Sequence, residues 1–138
     1  MRRGKLNIFL VEDDELDVMN AQRVFADNSE ICRVYVAGDG VEALAMLRSR
    51  TVPLQRLMML VDLNMPRMNG IELVRAMRSD QELKSIPVVI LSTSDDERDK
   101  RNAYSLNVAG YIIKPITFER HVKCMELIKL YWSMVELP

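Results

Sequence analysis

The sequence predicts an α/β fold: a doubly wound, five-stranded parallel sheet with helices on both faces. Three observations predict it. Five strand-like and five helix-like segments alternate strictly along the 138 residues, which is the pattern of a parallel sheet with right-handed crossovers. The first, third and fourth apolar runs are nearly continuous, as strands covered on both faces require. Acidic or polar residues follow four of the runs directly, and ligands of open parallel sheets bind at the carboxyl ends of strands.

The elements follow in order. Leu6–Val11 is a short apolar strand that runs into Glu12-Asp13-Asp14. Glu15–Asp27 is helical, with Leu16, Met19, Val24 and Phe25 among its apolar positions. Ile31–Ala37 alternates partly and is rich in β-branched residues, which favour strands. Val41–Arg48 is a short helix, and Asp39 with Glu42 fits a capping box before it. Arg56–Val61 is the third strand, ending in Asp62. Asn69 with Glu72 is a second capping box and opens a helix to about Arg78. Pro87–Leu91 is the fourth strand and runs into Ser92-Thr93. Ser94 with Glu97 suggests a third box, opening a helix to about Leu106. Ala109–Ile113 is the fifth strand, followed by Lys114-Pro115, and Thr117 caps a final helix to about Val135.

Bulk properties bound the function. The length suits one domain over residues 1–138. A net charge of -1 offers no broad field to nucleic acid or an anionic membrane, so neither is an expected partner. Met1-Arg2-Arg3-Gly4-Lys5 resembles the basic start of an export signal. The apolar run after it is too short and ends in acids, so export is not expected. No apolar stretch approaches the roughly 20 residues of a membrane span. Cys32 and Cys124 have neither metal nor redox spacing and read as two reduced thiols of a cytoplasmic protein.

The chemistry gathers at the strand ends. A carboxylate directly after a buried strand is held rigidly, and Asp62-Leu63-Asn64-Met65-Pro66 delays the next helix until Asn69, so Asp62 is not its cap. Glu12 and Asp13 beside Asp62 would repel, at about 4 kcal/mol for two charges 4 Å apart at an effective dielectric of 20. A divalent cation removes that penalty, and oxygen ligands suit Mg²⁺ or Mn²⁺. The single histidine, His121, lies on the last helix and is no ligand. Lys114 is restrained between a strand and Pro115, and Ser92 and Thr93 supply hydroxyl donors for a phosphoryl oxygen.

Val11-Glu12-Asp13-Asp14, Asp62-Leu63-Asn64-Met65-Pro66-Arg67-Met68-Asn69-Gly70, Pro87-Val88-Val89-Ile90-Leu91-Ser92-Thr93 and Gly110-Tyr111-Ile112-Ile113-Lys114-Pro115 together resemble the receiver domain of two-component response regulators. Within that family the chain looks closest to stand-alone regulators of the cyanobacterial phytochrome type, a placement supported by Asp17, Tyr131-Trp132 and Leu137-Pro138. The resemblance implies a flavodoxin-like fold with strand order 2-1-3-4-5. It implies that Asp62 accepts a phosphoryl group from a sensor histidine kinase or a phosphotransfer protein. Asp13, Asp62 and the backbone carbonyl of Asn64 would bind Mg²⁺, with Glu12 acting through a metal-bound water. Ser92 would follow the phosphoryl group, Lys114 would neutralise it across a cis Lys114–Pro115 bond, and Tyr111 would rotate inward. Thr93 would narrow access for water and slow dephosphorylation. The switch would bias the face formed by the last two helices and the fifth strand.

No output domain is expected after the last helix, so output is expected in trans. Val122, Met125, Ile128, Trp132 and Val135 form one stripe on that helix, and Cys124, Leu127, Tyr131 and Met134 form a second beside it. One stripe covers a sheet. The excess predicts a homodimer or partner surface, with Tyr131, Trp132 and Ile128 as anchors. Two other classes of protein remain open: a metal-dependent phosphatase with an aspartyl-phosphate intermediate, and a binding module that works without phosphorylation. Asn64, where such phosphatases carry a second Asp, argues against the first; the intact acids and Lys114 argue against the second.

Overall fold

The computed structural model describes residues 4–27 and 31–138. Of the five residues that resemble an export signal, Met1, Arg2 and Arg3 lie outside the described residues. Ten elements alternate: β1 (Leu6–Val11), α1 (Glu15–Ala26), β2 (Cys32–Ala37), α2 (Gly40–Arg48), β3 (Leu57–Val61), α3 (Gly70–Arg78), β4 (Val88–Ser92), α4 (Glu97–Ser105), β5 (Gly110–Ile113) and α5 (Phe118–Met134). The strands form one sheet in the order β2-β1-β3-β4-β5, and every pairing is parallel. β1 and β3 lie inside it, and all their residues are buried.

Alternation along the strands sorts the core into two layers. Phe9 and Val11 of β1, with Met59 and Val61 of β3, face Leu44 and Leu47 of α2 and Leu73 and Met77 of α3. Leu6, Ile8 and Leu10, with Met58 and Leu60, face Val24 and Phe25 of α1 and Met125, Ile128 and Trp132 of α5. Each large apolar side chain buried this way contributes about 1.5–3 kcal/mol before ordering entropy is set against it. These two layers fix the register, because a one-residue slip would exchange the faces.

Caps set the helix starts. Asp14 Oδ1 accepts from the N–H groups of Leu16 and Asp17. Asn69 and Glu72 form the expected reciprocal box. Asp39 accepts from Glu42 N–H, but Glu42 reaches back to the N–H of Gly38 rather than to the cap. Thr117 caps α5. The box expected at Ser94 and Glu97 does not form. Asp96 is the cap of α4, and the Ser94 hydroxyl instead donates to Asp99 at 2.5 Å. Asp96 wins because its carboxylate answers the helix dipole as well as the free N–H of Arg98.

Among the described residues α4 buries only Ala103 of its own helix. Its far end is held by Arg78, which donates to the carbonyls of Leu106 and Asn107 and to those of Lys84 and Ile86. Among the described residues no helix is long and apolar enough to cross a membrane.

Candidate functional site

The parallel register delivers the carboxyl ends of β1, β3, β4 and β5 to one edge. Val11 pairs with Val61, Val61 with Ile90, and Ser92 with Ile113. Glu12, Asp62 and Lys114 therefore leave their strands side by side. Glu12, Asp13 and Asp62 each offer a carboxylate oxygen within 4.8 Å of one another. Three oxygen donors at that spacing fit a hard divalent cation. Glu12 and Asp62 are buried and Asp13 is exposed, which leaves the group an open side toward solvent.

Lys114 spans the cluster. Its Nζ donates to Glu12 Oε1 at 2.5 Å and to Asp17 Oδ2 at 2.9 Å, and stands 3.7 Å from Asp62 Oδ2. Burial works against its charge, but the bonds to Glu12 and Asp17 outweigh that and hold it above the usual lysine range. Burial pushes the Glu12 carboxyl up to about 7, helped by the Asp62 charge and opposed by the Lys114 bond. Burial also raises Asp62, against the attraction of Lys114. A cation entering the cluster would meet carboxyls that resist ionising without it.

The remaining residues take definite places. Asn64 is exposed and donates its backbone N–H to Asp62 Oδ1 at 3.4 Å. Ser92 is fully buried at the end of β4, and its Oγ accepts from Ser94 N–H at 3.0 Å. That leaves the hydroxyl proton free to donate elsewhere. Its carbonyl accepts from Lys114 N–H at 2.7 Å, so β4 fixes where the lysine leaves β5. Thr93 is exposed just beyond Ser92. Tyr111 is half-buried and its hydroxyl donates to the Ser94 carbonyl at 2.9 Å, tying β5 to the loop before α4.

Close packing holds the floor of the site. A Cβ on Gly70 would lie 2.4 Å from the Asp62 carbonyl oxygen, so α3 can start there only with glycine. A Cβ on Gly40 would lie 2.7 Å from the Met68 carbonyl oxygen. The loop between β3 and α3 is further held by Arg67, whose Nε donates to Asp39 at 2.8 Å while its backbone is left-handed, with φ of 65°. The Asp39 carboxyl is lowered by the Glu42 N–H first and by Arg67 after it.

Two expectations need correction. The Lys114–Pro115 bond is trans, since no peptide bond among the described residues is cis. Trans is the intrinsic preference by about 0.5–1 kcal/mol, and Lys114 already reaches Glu12 and Asp17 with it. Ile128 and Trp132 are not surface anchors: they face the sheet and are 6% and 7% exposed. Tyr131 is the exposed one, at 57%, and meets Trp132 edge to face with ring centroids 5.2 Å apart. Sequence reasoning also missed Asp17 as a partner of Lys114. Its spacing from Asp13 on the first turn of α1 puts it over the site edge, and that was the signal available.

A family model described as the response regulator receiver domain matches residues 8–126. A probable methanogenesis regulatory protein, FilR2, of Methanothrix harundinacea is 38% identical over 130 residues, covering 91% of this chain and 82% of that protein. Response regulator Rcp1 of Synechocystis is 32% identical over 136 residues, covering 95% and 92%. Among solved structures, the phosphorylated cyanobacterial phytochrome response regulator RcpA superposes with a TM-score of 0.89 at 36% identity, covering 97% of this chain and 99% of that one. The Mn²⁺-bound form of Rcp1 superposes with a TM-score of 0.88 at 32% identity, covering 96% and 99%.

Proposed function

The chain belongs to the response regulator receiver domain family, and from that premise we propose that it is a cytoplasmic phosphorelay switch whose phosphoacceptor is Asp62. The observation that carries the reading is the convergence of Glu12, Asp13, Asp62 and Lys114 at one sheet edge. The donor would be a phosphohistidine on a sensor kinase or a phosphotransfer protein. Asp62 attacks phosphorus in line, the new O–P bond forms as the N–P bond breaks, and the released imidazole takes up a proton. Asp13, Asp62 and the Asn64 carbonyl would hold Mg²⁺ or Mn²⁺, with Glu12 through a water; the bound cation would shield phosphoryl oxygens and ease attack by an anion.

The protein's own groups do the rest. Lys114 closes the 3.7 Å to the Asp62 side chain and offsets the added charge. Ser92 gives its free hydroxyl proton to a phosphoryl oxygen, which pulls on the Ser94 N–H bond and so on the loop that Tyr111 grips. That loop leads into α4, so the change is expressed on α4, β5 and α5. Exposed apolar side chains at the rim, Leu16 and Met19 of α1 with Ile116 and Phe118 beyond Lys114, suit docking of the donor protein. On the far side of α5, exposed Leu127, Tyr131 and Met134 support self-association through that helix. Asn64 offers no general acid two residues beyond Asp62, which favours a switch over a phosphatase that turns over substrate.

The test is incubation with acetyl phosphate and Mg²⁺ followed by intact mass. A single phosphoryl adduct on the wild type, lost in Asp62→Asn, supports the reading. No adduct, or one retained in Asp62→Asn, overturns it.

A further inference from the structure

His121 is buried in α5, with 5% exposure, and its Nδ1 has no hydrogen-bond partner among the described residues. Its Nε2 lies 4.0 Å from Asp17 Oδ1, while the other oxygen of the same carboxylate accepts from Lys114 Nζ at 2.9 Å. One acid thus stands between a buried imidazole and the lysine that must follow the phosphoryl group. We propose that Asp17, backed by His121, is a positioning residue that parks Lys114 short of Asp62. The inference rests on the phosphoacceptor reading of Asp62 and names a residue that opposes phosphorylation at that same site.

The physical argument is a competition for one lysine. Lys114 has two bonded carboxylates at rest and stands 3.7 Å from Asp62. Gaining the phosphoryl oxygens means giving up part of the Asp17 bond, so Asp17 opposes the phosphorylated state. The charged group that α1 turns toward His121 is Asp17; Lys114 after β5 and Glu12 after β1 stand behind it. On α5 itself the neighbouring Glu119, Arg120 and Lys123 are exposed to solvent.

The test is beryllofluoride binding in saturating Mg²⁺ at pH 8, followed by fluorine NMR on the full chain. Asp17→Asn is expected to bind about tenfold tighter than wild type, the effect of removing one bond to a charged partner, where a merely structural loss would weaken binding. Asp17→Glu, which keeps an acid at that position, should bind as wild type does. Unchanged or weaker affinity in Asp17→Asn overturns the proposal. A wild type that takes neither beryllofluoride nor a phosphoryl group removes the phosphoacceptor reading, and this inference with it.

Discussion

The carboxyl edge of the sheet and the outer side of α5 each carry more of one kind of residue than the fold needs. At the edge the excess is charge: Glu12, Asp13, Asp62, Asp17 and Lys114 in one small volume. On α5 the excess is apolar surface: Leu127, Leu130, Tyr131 and Met134 remain exposed after the sheet is covered. The difference lies in what fixes each set. Strand register brings the Glu12 and Asp62 carboxylates to 2.5 Å and 3.7 Å from Lys114 Nζ. Among the described residues the stripe of α5 stays more than half exposed. The edge is therefore specified by the chain itself, while the stripe is left open by it.

The largest expected effect separates the two sides of α5. Trp132→Ala removes a side chain packed against the sheet and should cost about 3–5 kcal/mol of stability, measured by urea unfolding. Tyr131→Ala should change stability by about 1 kcal/mol or less, yet shift a dimer toward monomer in sedimentation at matched concentration. Equal stability losses in the two variants would erase the distinction between inner and outer stripes.

A second measurement sharpens the edge. Between the ordinary carboxyl value of 4.5 and about 7, folded Glu12 keeps a proton that the unfolded chain has lost. Metal-free protein should therefore gain stability as pH falls through that window and lose it as pH rises. Cation binding reverses the preference, because it needs the ionised carboxylate. Affinity for Mg²⁺ should fall by up to about tenfold per pH unit below 7, measured by calorimetry. A flat profile from pH 7.5 to 5.5 would show that Glu12 takes no part in holding the cation.

The smallest effect concerns the mouth of the site. Thr93 is exposed just past Ser92. Thr93→Ala should speed loss of the phosphoryl group a few-fold, about 0.5–1 kcal/mol in the barrier, with decay followed by intact mass. An unchanged rate would remove Thr93 from the control of water access.

What could be read from the sequence follows the same division. The strands and their terminal acids were legible because period and position coincide: an apolar run that stops at Asp62 can only place that carboxylate at the edge. The stripes of α5 were both visible, but periodicity alone does not say which one faces inward, and Trp132 fell on the core side. Asp17 was visible only as an acid one turn past Asp13, since its partner lies 97 positions away and the contact is made by helix packing. The cap of α4 was misplaced because Ser94 and Asp96 both suit it, and the dipole favoured the charged one. The trans bond before Pro115 was missed because the family pattern was carried over where the local preference prevailed.

Arg78 gives α4 an unequal suspension. At one end the helix is clamped by a guanidinium holding the carbonyls of Leu106 and Asn107; at the other, its bonds are to its own first turn and the loop before it, through Ser94, Asp96 and Lys100. With a single alanine buried along its length, little friction resists a swing. A tug transmitted from Ser92 would make α4 pivot like a gate on its hinge post, sweeping widest at Asp96 and least at Leu106.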